Sequence, residues 1–281
     1  MALRSPLYLD GESLLAQAEY HGIEVQKQAD IVEKTVTKRG ATGGVGVGPV
    51  RLGGNAGHDV EFQSAYRLDP SKKATASKVI DEMVHQGDVT TNPDADTVLT
   101  KDSLIEVEGT TRITAASLAG KMFFILRQAI EQADLDMTSI EDLDLDNLPG
   151  IEEGFRDAYL SNQLVPVPLL VELTGSNLPQ RVYIGVAPDH FVDSASADRV
   201  EGDLRVLGSV TQLIGGGNHG FLSAERWLLH GWEHLIRRHL MLNINDIVRD
   251  LGNDLDLGLP DDDVYGYITG PAVVLDAIAI Y

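Results

Sequence analysis

The chain contains no cysteine. That absence excludes disulfides, thiol nucleophiles, thiolate zinc sites and iron–sulfur clusters together, and it fits a cytoplasmic protein. Long hydrophobic runs are missing as well. The apolar stretch MFFIL at 122–126 is bounded by Lys121 and Arg127, far short of the roughly 20 residues that cross a bilayer. The first fifteen residues, MALRSPLYLDGESLL, offer no apolar core before Asp10, so no signal peptide is predicted. Positive charge is scarce: 22 Lys and Arg face 43 Asp and Glu, for a net charge of −21. A surface of that sign repels nucleic acid and anionic lipid. Neither G-x-S-x-G nor a Ser-x-x-Lys with partners occurs, which removes the usual serine nucleophiles.

The negative charge is uneven. Residues 131–157 carry ten acids against Arg156, and residues 246–263 carry seven against Arg249. A solvated face that keeps the chain in solution accounts for both segments.

Patterning predicts a short strand over Pro6–Leu9, then a helix with Asp10 as N-cap and Gly22 as its stop. Eight of the eighteen residues in 40–57 are glycine, and 60–68 alternates like a strand. A helix follows Asp69-Pro70, with Ala76, Val79, Ile80, Met83 and Val84 on one stripe. DSLIEVEGTTRI reads as a hairpin, and Ala115 to Gln132 as a helix. That helix–hairpin order resembles a winged-helix arrangement. Strands are predicted at Pro168–Thr174, Arg181–Val186 and Leu204–Ile214. A helix through HGWEH, a shorter one over Asn243–Leu251 and a closing strand in GPAVVLDAIAIY complete the chain. The expected class is α+β: a winged-helix-like N-terminal part and a mostly antiparallel C-terminal sheet with packed helices. Three units are expected, at 1–68, 69–160 and 161–281.

YLDGESLLAQ near the start, the Gly-rich polar insert, VLGSVTQLI and the final GPAVVLDAIAIY resemble a family of uncharacterised bacterial proteins that share this opening and ending. The resemblance spans most of the chain by order of landmarks and brings no activity with it. Its one implication is a place near bacterial defence or stress systems.

HGWEH, residues 230–234, has the H-x-x-E-H order of inverted zinc peptidases. His230 and His234 would be ligands and Glu233 the base. Those enzymes take a third ligand from a downstream glutamate, and none follows Glu233 here. On a helical wheel Leu228, Leu229, Trp232, Leu235, Ile236 and Leu240 form the core arc. His230, His234, Arg226, Glu233 and Arg237 face solvent, with Glu233 placed to pair with Arg237. An amphipathic helix is therefore the preferred reading and zinc the rival.

GGGNHG at 215–220 satisfies G-x-G-x-x-G through Gly215, Gly217 and Gly220, between a strand and a helix as a dinucleotide fold requires. No second βαβ unit is visible, so a chain-reversing loop with Ser223 as helix N-cap is preferred. DLDLDNLPGIEE imitates a calcium loop with Asp142, Asp144, Asp146 and Glu153 as ligands. Pro149 stands where paired loops exchange a backbone hydrogen bond, which favours an acidic linker. The Gly-rich segment with 58–68 could serve a membrane-active effector, but Lys34 and Lys38 fall on the would-be lipid face.

The expected function is a non-catalytic binding or assembly module without cofactor. It would act on a protein partner or on itself, not on nucleic acid, with the membrane disfavoured. The alternatives are a zinc hydrolase on HGWEH and a membrane-active effector.

Overall fold

GPAVVLDAIAIY is apolar at nearly every position because its strand is buried on both faces. One face lines a barrel and the other lies under helices. The computed structural model describes residues 5–23, 25, 70–132, 166–192, 199–217, 220–254 and 262–281. In chain order the elements are β1 (Tyr8–Leu9), α1 (Gly11–Tyr20), α2 (Pro70–Gln86), β2 (Val89–Thr91), β3 (Leu104–Ile113) and α3 (Ala115–Gln132). Then come β4 (Leu169–Thr174), β5 (Arg181–Val186), β6 (Gly202–Ile214), β7 (Phe221–Ser223) and α4 (Glu225–Leu228). The last are α5 (His234–Leu240), α6 (Ile244–Asp254), β8 (Tyr267–Thr269) and β9 (Ala272–Ile280).

Five of these strands close on themselves. β3 pairs with β4, β4 with β5, β5 with β9, β9 with β6, and β6 returns to β3. Of these five pairings β5–β9 alone is parallel, and β2 adds a parallel edge to β3 outside the closed set. Numbered along the chain, the barrel strands run first, second, third, fifth, fourth and back to first, which is the connectivity of an OB-type Greek-key barrel. Alternate residues fill the interior: Ile105 and Val107 from β3, Leu169, Val171 and Leu173 from β4, Val182 and Ile184 from β5, and Val273 and Leu275 from β9. The β6–β9 register shifts twice, passing over Ile278 on β9 and Thr211 on β6. The Thr211 hydroxyl donates to the Val274 carbonyl at 3.1 Å. Such bulges sharpen the twist that closing a barrel needs.

Two helical layers cover the outside. α1 and α2 bury Leu14, Ala18, Ala76, Val79, Ile80 and Met83 against Leu104, Leu207 and Ile278. Asp10 caps α1 by accepting the Ser13 N–H at 3.0 Å, and Gly22 follows it at φ 72, as the sequence predicts. On the other side α3, α4 and α6 lie over Leu170, Tyr183 and Val274. Both halves of that layer are insertions between barrel strands: α3 follows the first strand, and β7 through β8 follow the fourth.

The α+β class holds, with three corrections. Asp102–Ile113 contains no hairpin; Leu104–Ile113 is one strand, the barrel's first, so a wing is not formed there. Gly109 sits inside that strand because a Cβ would overlap the Thr174 carbonyl of β4. The expected boundaries at 68/69 and 160/161 do not separate units of the sheet, since β1, β2 and β3 share it with β4, β5, β6 and β9. The third correction is the helix through HGWEH, which is broken.

Candidate interaction surface

The two barrel insertions meet at Gly120 of α3. A Cβ on Gly120 would overlap the Trp227 carbonyl, so glycine lets α3 and α4 approach backbone to backbone. Trp227 is fully buried there, and Trp232 packs edge-on against Phe123 of α3 at 6.4 Å between ring centres. On one unbroken helix, residues five apart would point about 140° away from each other. Both indoles could not then enter the same layer. The chain resolves this by ending α4 at Leu228, turning through Gly231 at φ 80, and starting α5 at His234. Arg127 of α3 donates to the Gly231 carbonyl at 2.5 Å and fixes the turn.

HGWEH is therefore a turn and the first residue of a new helix. His230, Glu233 and His234 are all exposed, and Trp232 is buried. The break also resets the helical phase. Leu228, Leu229 and Leu240 are buried as expected, but Leu235 is 76% exposed. Arg237 pairs with Glu225 at 3.2 Å, not with Glu233. Burial first, then the charges of Arg127 and Arg237, hold the His230 imidazole below its usual range. Among the described residues no group of three His, Asp or Glu is arranged to hold a metal ion.

The glycine motif has lost its required context. Gly215 and Gly217 follow β6, but Gly220 leads into β7 and not into a helix. Gly220 and Gly270 are packing glycines, because a Cβ on either would overlap the Gly215 carbonyl. The Ser223 hydroxyl accepts the Glu225 N–H at 3.2 Å, close to the predicted capping role, although Ala224 occupies the cap position. Asp142, Asp144, Asp146, Glu153 and the Gly-rich segment lie outside the described residues.

One ionic cluster escaped the sequence reading. Arg112 on β3 lies directly opposite Glu172 on β4, which in turn lies opposite Tyr183 on β5. Arg112 donates to Glu172 and to Asp263, each at 2.5 Å. Arg181 donates to Glu172 at 2.8 Å and to the Asp262 carbonyl at 3.0 Å. Asp263 also accepts the Val264 N–H at 2.7 Å and the Ala115 N–H at 3.2 Å, at the start of α3. Burial opposes the charge on Arg112, but its bonds to Asp263 and Glu172 outweigh that and raise its pKa. Burial, reinforced by Glu172, pushes the Tyr183 hydroxyl above its usual range. Two cations offset two anions, and the cluster pins the 262–264 loop to both barrel and helix. The available signal was a lone glutamate inside the apolar run LLVELT.

A concavity of about 270 Å³ lies between Asn92–Pro93, the middle of β3 and the Gly175–Asn177 turn. Glu108 is its one titratable lining residue and pairs with Arg205, so the cavity holds no acid–base couple. Compared with known proteins, the chain matches no family model, no curated protein and no solved structure.

Proposed function

We propose that the protein is a non-catalytic binding or assembly module that engages a protein partner through the paired insertions of its barrel. The observation that carries this reading is the α4–α5 turn. It is held rigid by Arg127, Trp227 and Trp232, yet it leaves Leu235, Leu242 and Arg238 in solvent. Loops after the first and fourth strands are the ones through which OB-type barrels contact ligands, so the location agrees by analogy of fold. Oligonucleotides use the face of the second and third strands in such barrels. Here that face is spent, since Leu170 and Tyr183 lie under helices and Glu172 is clamped by two arginines. Among the described residues no helix is long and apolar enough to cross a membrane.

The rival is a zinc hydrolase on His230, Glu233 and His234, and metal analysis separates the two. Untagged protein purified without chelator is compared with a His230→Ala/His234→Ala double variant by plasma mass spectrometry. The binding-module reading expects zinc well below one per chain in both. One zinc per chain, lost in the variant, replaces it with the hydrolase.

A further inference from the structure

β3 has an unfilled place on one edge. Its ladder with β2 ends at the Thr91–Glu106 pair, and its ladder with β4 begins at the Thr110–Thr174 pair. Main-chain polar groups point to alternate sides along a strand. On this edge the Glu106 carbonyl accepts the Asn92 N–H at 2.8 Å, and the Thr110 carbonyl accepts the Thr174 hydroxyl at 3.1 Å. The N–H and C=O of Glu108, midway between them, face the same side. β6 does not use them, because Arg205, which lies opposite Glu108, exchanges both of its main-chain bonds with Tyr281. β2 does not continue along the edge: Asn92 turns the chain away at φ 45, and the Asp94 N–H is taken by the Thr97 hydroxyl at 3.0 Å. β4 leaves it at Gly175, φ 79. The concavity of about 270 Å³ lies between these two departing chains.

We propose that this slot takes the main chain of a short extended peptide from a partner protein, one residue of which supplies the missing rung. In an antiparallel pair two facing residues exchange both bonds, so a single peptide residue satisfies the Glu108 N–H and C=O together. Free strand edges recruit peptides in this way. Asn92, Ser176 and Asn177 line the slot, and their side chains make no hydrogen bond within the described residues. Carboxamides both donate and accept, so they can meet the peptide units on either side of the bound residue. The volume falls just below the roughly 300 Å³ at which small-molecule pockets begin, which suits a few residues of peptide and not a cofactor.

Charge narrows the occupant. Exposed Asp94 and Asp96 follow Pro93, and Arg205 is already paired with Glu108 and lies 4.0 Å from Glu106. The slot therefore favours basic side chains on the peptide and repels acidic ones. It shares no residue with the α4–α5 turn, so it goes beyond the proposed function and does not depend on it.

The test is NMR on the isotope-labelled full chain, with three end-blocked probes: the peptide KVKVK, its fully N-methylated analogue and EVEVE. In the free protein the Glu108 amide should exchange about tenfold or more faster than those of Val107 and Gly109, whose bonds go to β6. KVKVK should shift Asn92, Glu108, Ser176 and Asn177, slow exchange at Glu108, and bind with a Kd of about 1 mM or tighter. N-methylation removes the peptide's N–H donors and should weaken binding about tenfold or more, as should the acidic side chains of EVEVE. Ser176→Trp, a half-buried position that would fill the slot, should weaken KVKVK to the same degree, with thermal unfolding checking that the fold is kept. A Glu108 amide as slow as its neighbours in the free protein overturns the proposal, since the rung is then already filled. So does the absence of any shift with KVKVK, equal binding of the N-methylated analogue or of EVEVE, or unchanged binding to a folded Ser176→Trp. The same shifts produced by raising the protein concentration alone would replace the partner protein with a second copy of this chain.

Discussion

Arg127 of α3 donates to the carbonyl of Gly231, 104 residues later in the chain, at 2.5 Å. That bond joins the two insertions of the barrel at the point where the HGWEH segment changes direction. Gly231 has φ 80, and a Cβ there would overlap the same guanidinium.

Gly231→Ala should therefore lose stability on two counts. The left-handed backbone costs a non-glycine residue about 1–2 kcal/mol, and the guanidinium must move. Urea unfolding followed by tryptophan fluorescence should show the loss. In an Arg127→Ala background the same substitution should cost less, because only the backbone term remains. A neutral Gly231→Ala would contradict the turn geometry.

Gly120→Ala sets two effects against each other. Helix propensity favours alanine by about 1 kcal/mol. Forcing a methyl against the Trp227 backbone costs about 1–3 kcal/mol, because a carbonyl of a packed helix has nowhere to retreat. The clash should win, giving a net loss of up to about 2 kcal/mol by the same urea assay. A stabilised Gly120→Ala would mean that α3 and α4 do not touch at this point.

Glu172→Gln removes the anion shared by Arg112 and Arg181. The Glu172 side chain is 7% exposed and the two arginines about a third exposed. Breaking a fully buried pair costs about 3–5 kcal/mol. The arginines here can still reach water, so about 2 kcal/mol is expected. Asp263 keeps its bonds to Arg112, Ala115 and Val264, so the substitution should loosen β5 more than the start of α3. Hydrogen exchange resolved by peptide would read that difference, and uniform loosening of both would contradict it.

His230 should titrate by NMR with a midpoint below the ordinary 6.5, and Arg127→Ala should raise it. With its folded pKa depressed, the native state binds fewer protons than the unfolded chain across that window. Its contribution to stability is thus complete above pH 6.5 and is lost as pH falls through 6.5 and below. His230→Asn should flatten the acid side of the stability–pH curve. A midpoint at or above 6.5 would show that the imidazole is not crowded by the two arginines.

Much of this protein is written locally. The Asp10 cap, the stripe Ala76, Val79, Ile80 and Met83, and the apolar strands β4, β5 and β9 follow from side-chain period and capping chemistry. The absence of cysteine and the net charge of −21 need no structure at all. Tertiary structure alone decided three things. Alternation of apolar residues is the same whatever strand lies alongside, so the sequence could not order β3, β4, β5, β9 and β6 into a closed barrel. Gly109 suits either a turn or a close crossing, and only the approach of the Thr174 carbonyl selects the crossing. The apolar pattern from Leu228 to Leu240 fits one helix on a wheel. Trp227 and Trp232 must nevertheless both reach α3, and their shared burial breaks the helix at Gly231 and turns Leu235 into solvent.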